Sequence, residues 1–485
     1  MNEPTGINQA TLPMASRSTD CHGTPPLPGK PMPWLNGLLD RPSELTRWMR
    51  EHGSPLNVLR PDQLSENVVR LRRQASELGL NLDIFFARKA NKCLSMIDAA
   101  VDAGAGIDTA SGPEVEQTLG AGVDPRRIVC TAAIKNDDLI KRCLDTGVLI
   151  VVDNIQELSA IESRRAGDNR RVDIAIRVSG FRHDDEKLPS RFGFDVDDLE
   201  ELFDRCDDRG VCNIAGLQFH LNGYDANHRR AGLADCLSRV PGLRSRGHDV
   251  RFIDIGGGFP MVYGRSSQEA ERFWEAHERS LISDTPPITW QRHRLGRQSD
   301  GRRVWGRPNV YPYWQSPIGP AWLREVLNGS IDGEPMLRRI ESLDLTIRCE
   351  PGRALMDACG ATIATVEFVK RSAAGDDLIG LAMNSTQCRT TFDDFLVDPI
   401  VVRMGSPGRP RTGYLVGAYC TESELLTWRR LQFPRGVEPG DLIAFPNTAG
   451  YLMHFRESRS HQFPLAKNLI LGPDGPCLDA IDASA

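Results

Sequence analysis

The chain is 485 residues long and 40% hydrophobic, with 59 basic and 65 acidic side chains for a formal charge of −6. That length calls for more than one domain, and the interspersed charges argue against a nucleic-acid footprint or a polybasic membrane surface, leaving small-molecule chemistry. The 12 cysteines lack the paired C-x-x-C spacing of a metal site, no signal peptide precedes them and no apolar run is long enough to cross a bilayer, so no metal, reduced thiols and a cytoplasmic location are expected.

Residues 1–38 hold Pro25, Pro26, Pro28, Pro31 and Pro33 among Ser, Thr and Gly, a mixture that predicts a disordered tail. A helical stretch over 39–50 and a strand over 56–59 form a segment, 39–60, expected to pack with a C-terminal β domain. Pro61-Asp62 then opens a helix. Eight short apolar runs follow, at 84–91, 106–111, 127–132, 149–154, 172–179, 213–221, 250–257 and 344–352. Between them stand segments of helical period, such as Leu94, Ile97, Val101 and Val115, Leu119. Strand then helix, repeated, is the pattern of an α/β chain closed into a (β/α)8 TIM barrel, here over 61–356.

Ninety-two positions separate Gly258 from Glu350, where a barrel connection with one helix needs about thirty. An insertion at about 264–320 is therefore expected. It carries Trp274, Trp290, Trp305 and Trp314 with six arginines from Arg292 to Arg307, and reads first as a surface decoration or oligomer contact and second as a lid. Beyond it, β-rich runs at 361–370, 414–418, 442–445 and 469–471, separated by Gly, Pro, Asp and Asn turns, predict a separate β domain over 357–485.

Barrel active sites gather where the strands end, which singles out Lys89, His220, Gly256, Gly257, Gly258, Glu350 and Arg353. Three glycines after the seventh strand can present bare N–H groups to a phosphate, and Arg353, one loop away, can complete an anion site. Lys89 has two readings there, a further phosphate contact or an amine that forms an imine. Glu350 helps to decide between them. A carboxylate would repel the anion unless it meets a cationic part of the same ligand, such as a protonated pyridine nitrogen. Imine-forming lysine, carboxylate on a pyridinium, and arginine with glycines on a phosphate together describe pyridoxal 5′-phosphate.

Ala87-Arg88-Lys89-Ala90-Asn91, Asp108-Thr109-Ala110-Ser111-Gly112, Ser190-Arg191-Phe192-Gly193-Phe194, Asp254-Ile255-Gly256-Gly257-Gly258 and Glu350-Pro351-Gly352-Arg353 resemble the motifs of fold-type III pyridoxal-phosphate decarboxylases, the diaminopimelate and ornithine decarboxylase group. Gly417-Ala418-Tyr419-Cys420 and Asn447-Thr448-Ala449-Gly450-Tyr451 resemble two more. The wording of Met383-Asn384-Ser385-Thr386-Gln387 and of the acidic stretch 393–399 is most similar to a poorly characterised branch of that group. The resemblance implies an alanine racemase-like barrel in which Lys89 carries the cofactor, His220 stacks on its ring and Glu350 meets the pyridine nitrogen. Gly256, Gly257, Gly258, Arg353 and Tyr451 would hold the phosphate. Cys420 would act as proton donor from the partner chain of a head-to-tail homodimer with shared active sites.

Two departures bear on the substrate. His220-Leu221 is followed by Asn222-Gly223 where the family has a Gly-Ser pair, and Thr421 stands where the family has an acid that receives a distal amine. Glu422 lies one position on, and a one-residue shift in a strand would turn it to the opposite face. Arg389 lies close to the position of an arginine that binds a distal carboxylate. The expected activity is decarboxylation of an amino acid or amino-acid conjugate, with a racemase or epimerase of the same fold and a non-catalytic cofactor-binding regulator as alternatives.

Overall fold

The computed structural model describes residues 20–167, 171–389 and 395–484. Eight parallel strands close on themselves: β1 (Leu82–Ala87), β2 (Gly106–Thr109), β3 (Ile128–Cys130), β4 (Leu149–Val152), β5 (Val172–Ser179), β6 (Cys212–Gln218), β7 (Phe252–Asp254) and β8 (Thr346–Cys349), with β8 pairing to β1. Each falls on one of the eight apolar runs. The runs are continuous because barrel strands are covered by helices outside and by one another within. Phe85, Val129, Val151, Ala175, Ala215 and Phe252 form a buried cluster of their own. Two glycines make room for its aromatic rings: a Cβ on Gly106 would lie 2.6 Å from the Phe85 ring, and one on Gly216 only 2.3 Å from that of Phe252. The helices that follow β2, β3 and β4 start sharply, because Ser111, Asn136 and Asn154 accept the N–H groups of Glu114, Leu139 and Glu157 at 3.3, 3.0 and 3.0 Å.

The second sheet is built on the strand Gly360–Arg371. Its first half pairs with Leu56–Leu59 and Leu442–Pro446, and its second half with Asp377–Leu381. Arg411–Val416 and Leu431–Phe433 extend the sheet on one side, and Lys467–Gly472 with Gly475–Leu478 on the other. Strands at Asp377–Leu381, Ile400–Val402, Leu431–Phe433 and Gly475–Leu478 were not predicted; they are short and lack a long apolar run. Conversely, the run expected over 414–418 stops at Val416, so 417–424 is loop.

Two sequence expectations are corrected. Residues 20–38 are not a disordered tail; residues 1–19 lie outside the described residues. Cys21, Leu27, Met32 and Leu35 are buried, and Pro33–Leu39 is helical. The Asp398 carboxylate accepts the N–H groups of Gly23 and Leu27 at 2.9 and 2.8 Å, and Asp20 pairs with Arg403 and Arg435. The prolines of this strap lower the entropy lost on ordering it, and distant side chains satisfy its backbone in place of a ladder.

The 264–320 segment is likewise not a surface decoration. Phe273, Leu295, Tyr311 and Tyr313 share one buried cluster with Leu415, Leu431 and Phe445 of the second sheet. Backbone bonds Trp290 N–H to Trp428 O (2.8 Å) and Arg430 N–H to Ile288 O (2.9 Å) tie it down. Among the described residues no helix is long and apolar enough to cross a membrane.

Candidate active site

Lys89 stands in the turn Arg88–Ala90 that follows β1, its ammonium 2.8 Å from Oδ2 of Asp108 in β2. Asp108 is buried, and the Thr131 hydroxyl donates to its other oxygen. Burial alone would lower the Lys89 pKa; Asp108, Tyr451 and Glu350 outweigh it and hold the group above the ordinary lysine range. Lys89 therefore rests as an ammonium fixed on Asp108.

Glu350 follows β8 and is buried, with Nε2 of Gln218 donating to its two oxygens at 3.2 and 3.4 Å. Burial raises its pKa and Asp254 and Asp108 push the same way, against Lys89 and Arg177. A carboxyl so placed is held toward its neutral form until a cation arrives beside it. His220, just past β6, accepts the Gly257 N–H on Nδ1 at 3.2 Å, which places the ring proton on Nε2. Burial, then Lys89, Arg229 and Arg177, depress its pKa to about 3, so the imidazole is neutral at physiological pH.

The glycine turn after β7 requires glycine. Gly256 and Gly258 have φ of 67° and 78°; a Cβ on Gly257 would lie 2.9 Å from the Glu350 carbonyl, and one on Gly258 2.1 Å from Nη2 of Arg229. What remains on the cavity wall is bare backbone, suited to an anion. Nη1 of Arg353 donates to the Tyr263 hydroxyl at 2.9 Å and to Gly450 O at 3.4 Å, and the guanidinium sits 4.3 Å from the Tyr311 ring centroid and 5.1 Å from that of Tyr451. Tyr451 has a left-handed backbone, φ 69°.

The structure brings Lys89, His220, Gly257, Gly258, Glu350, Arg353 and Tyr451 around one cavity of about 180 Å³. A recess of about 420 Å³, walled by Pro189, Ser190, Arg191 and Phe192, shares His220 and Asn222 with it. Gly256, Arg389, Cys420, Thr421 and Glu422 do not line the cavity. Arg389 donates to Leu425 O at 2.9 Å and lies over the Trp428 ring, which stacks on His293 of the inserted segment at 4.1 Å. Cys420, Thr421 and Glu422 are exposed in the loop after Val416. No strand alternates faces there, so the expected one-residue flip does not apply. The loop's buried acid is Glu424, whose oxygens take the N–H and hydroxyl of Ser385, both at 2.7 Å.

Sequence reasoning missed Gln218, Asp254, Tyr263 and Tyr311. Gln218 carried a usable signal, since it stands two residues before His220 in an otherwise apolar run and so on the same side of the strand direction. The tyrosines carried none, because they arrive from the inserted segment and the turn before it.

The donor set fits pyridoxal 5′-phosphate: a bare-backbone anion wall with Arg353, a buried carboxyl that gains from a cation, and an amine within the same cavity. Barrel, second sheet and site thus define the class of pyridoxal-phosphate enzymes with an alanine racemase-like fold. The model of the pyridoxal-binding domain of pyridoxal-dependent decarboxylases matches residues 64–284. The uncharacterized protein y4yA of Sinorhizobium fredii is 30% identical over 424 residues, spanning 86% of this chain and 88% of that one. Diaminopimelate decarboxylase of Pseudomonas aeruginosa is 24% identical over 385 residues, 76% of each chain. In fold, the chain is similar to diaminopimelate decarboxylase of Helicobacter pylori, solved with L-lysine, at a TM-score of 0.64 and 19% identity over 90% of this chain and 95% of the other. The chain belongs to the fold-type III pyridoxal-phosphate-dependent decarboxylases and is an amino-acid decarboxylase with that cofactor.

Proposed function

We propose that Lys89 carries the cofactor, that Glu350 meets its pyridine nitrogen, that His220 lies against its ring, and that the 256–258 turn, Arg353 and Tyr451 hold its phosphate. The observation that carries this reading is Glu350, a buried carboxyl in a cavity otherwise built for an anion. A further cation beside it would ionise the carboxyl and offset the cost of its burial. The same observation favours decarboxylation over racemisation, because a carboxylate at the ring nitrogen keeps that nitrogen protonated. When bound, the cofactor supplies the electron sink for the pair left on the α-carbon as carbon dioxide departs. Asp108 holds the Lys89 amine in place, Gln218 fixes Glu350, and neutral His220 offers an uncharged face. Cys420 of a second copy supplies the proton that replaces the carboxyl group.

The substrate we infer is an amino acid or conjugate with a carboxylate or bulky polar group distal to the reacting carbon, as in specialised metabolism, rather than free lysine or ornithine. Among the residues lining the cavity and its recess the acid is Glu350, while Arg191 lines the recess. By the family resemblance Thr421 replaces an acid that receives a distal ammonium; brought to the site from a second copy, as Cys420 is, it would leave that ammonium unpaired at a cost of several kcal/mol, enough for roughly thousandfold discrimination. Arg389, which does not line the cavity of its own chain, would have to bring its fork to a substrate carboxylate from the second copy. Carbon dioxide release measured over lysine, ornithine, diaminopimelate and larger carboxylated amino acids, in wild type, Arg389→Ala and Thr421→Glu, tests this. Lysine or ornithine as the best substrate of the wild type would overturn the specificity. Borohydride reduction with peptide mapping tests the cofactor site: the label belongs on Lys89, not on Lys92, which pairs with Glu457, or on Lys135, held by Glu157 and Ala132 O.

A further inference from the structure

Behind the glycine turn lies a charged side chain that the chemistry above leaves unused. Arg229, on the helix Ala226–Ser245 after β6, is fully buried. Its Nη2 donates to Leu221 O at 2.6 Å, whereas Nε and Nη1 have no hydrogen-bond partner among the described residues. The guanidinium is wedged against the turn: the position of a Cβ on Gly258 is 2.1 Å from Nη2 and 3.2 Å from Gly223 O. Gly258 and the residues Leu221, Asn222 and Gly223 are all cavity wall, so one layer of backbone separates the guanidinium from the ligand space. Burial brings its pKa down to about 10, which leaves it charged at neutral pH.

A buried cation with two unmet donors is costly, and a methionine of similar length would fill the same space without that cost. Packing therefore does not explain the charge. An anion on the other face of the glycine wall does, and the chain lacks there the hydroxyl of the Gly-Ser pair that Asn222-Gly223 replaces. We propose that Arg229 is a positioning residue of the phosphate site, supplying from behind the 256–258 turn a second fixed positive charge alongside Arg353. This rests on the reading of that turn as the phosphate wall. The residue also bonds the Leu221 carbonyl while packing against Gly258, so one side chain touches both loops that face the cavity.

The test compares the cofactor-free protein as wild type, Arg229→Met and Arg229→Lys, titrated with pyridoxal 5′-phosphate and with pyridoxal, which lacks the phosphate. Affinity is followed by visible absorbance, and the unfolding midpoint is measured without ligand, with inorganic phosphate and with cofactor. Arg229→Met is expected to weaken pyridoxal 5′-phosphate by about tenfold or more while leaving pyridoxal within about twofold. Its ligand-free midpoint is expected to change little, because the lost bond to Leu221 O is offset by removal of a buried charge, and to rise less than wild type on adding inorganic phosphate; Arg229→Lys falls between. Equal weakening of both ligands, or unchanged affinity for both, overturns the proposal. Should Arg229→Met not fold, Arg229→Gln, which keeps a donor for Leu221 O without the charge, is held to the same expectations and the same overturning results. A wild type that binds the phosphorylated and unphosphorylated ligands equally would instead sink the phosphate reading of the turn itself.

Discussion

At the scale of single residues, Glu350 is where charge and chemistry meet. Gln218 can donate to it whether or not it is ionised, so the proton shared with a ligand nitrogen is the one thing an amide cannot reproduce. Glu350→Gln is accordingly expected to retain the cofactor, since the glycine turn and Arg353 are untouched, and to lower turnover by roughly a hundredfold or more, as loss of a key electrostatic stabiliser does. Cofactor titration beside single-turnover carbon dioxide release separates the two effects, and near-normal turnover would contradict the assigned role. Lys89, Glu350, the glycines and Arg353 were legible in the sequence because their residue types stand at the ends of apolar runs. Arg229 was not: on a helix beside Arg230 and Asp235 it reads as part of a solvated face, and only the glycine turn folded against it reveals that it is buried.

At the scale of elements, the eight barrel strands were legible because strands buried on both sides write themselves as unbroken apolar runs. The N-terminal strap was not, since its backbone is satisfied by Asp398, 375 positions from Gly23. The join between the barrel and the second sheet has a pH dependence of its own. His454 accepts the Lys92 N–H on Nδ1 at 3.3 Å and bonds Asn468 through Nε2 at 2.8 Å, and Asn468 also takes a bond from Asn57 at 3.1 Å. Burial, with the Lys92 charge adding to it, lowers its pKa from 6.5 to about 3. The unfolded chain therefore takes the proton more readily than the folded one. His454 contributes stability that is complete above about pH 6.5 and is lost as pH falls toward about 3. Denaturant titrations between those limits are expected to show a slope of up to about 1.4 kcal/mol per pH unit from this group. His454→Gln should flatten that part of the profile, and a slope equal to wild type would exclude His454 as its source. His220 and His293, depressed to about 3 and about 4, act in the same direction.

At the scale of the whole molecule, one chain does not bring all the proposed groups to one place. Lys89, Glu350 and the phosphate wall converge on one cavity, while Cys420, Thr421 and Glu422 stand exposed on the second sheet's loop and none of them lines it. If the proton donor arrives from a second copy, each active site of a two-fold dimer takes Lys89 from one chain and Cys420 from the other. Lys89→Ala and Cys420→Ala dimers should then each be inactive, or nearly so, because every site in either lacks one group. Unfolding and refolding an equimolar mixture makes about half of the dimers mixed. Each mixed dimer has one site missing both groups and one site missing neither, so the mixture should recover about a quarter of wild-type activity. Differential tags on the two variants, followed by tandem purification of the mixed species, should raise the recovery to about half. Mixed dimers isolated in that way but inactive would show that Lys89 and Cys420 serve the same site from one chain, whereas a Cys420→Ala protein with full activity would show that Cys420 serves none.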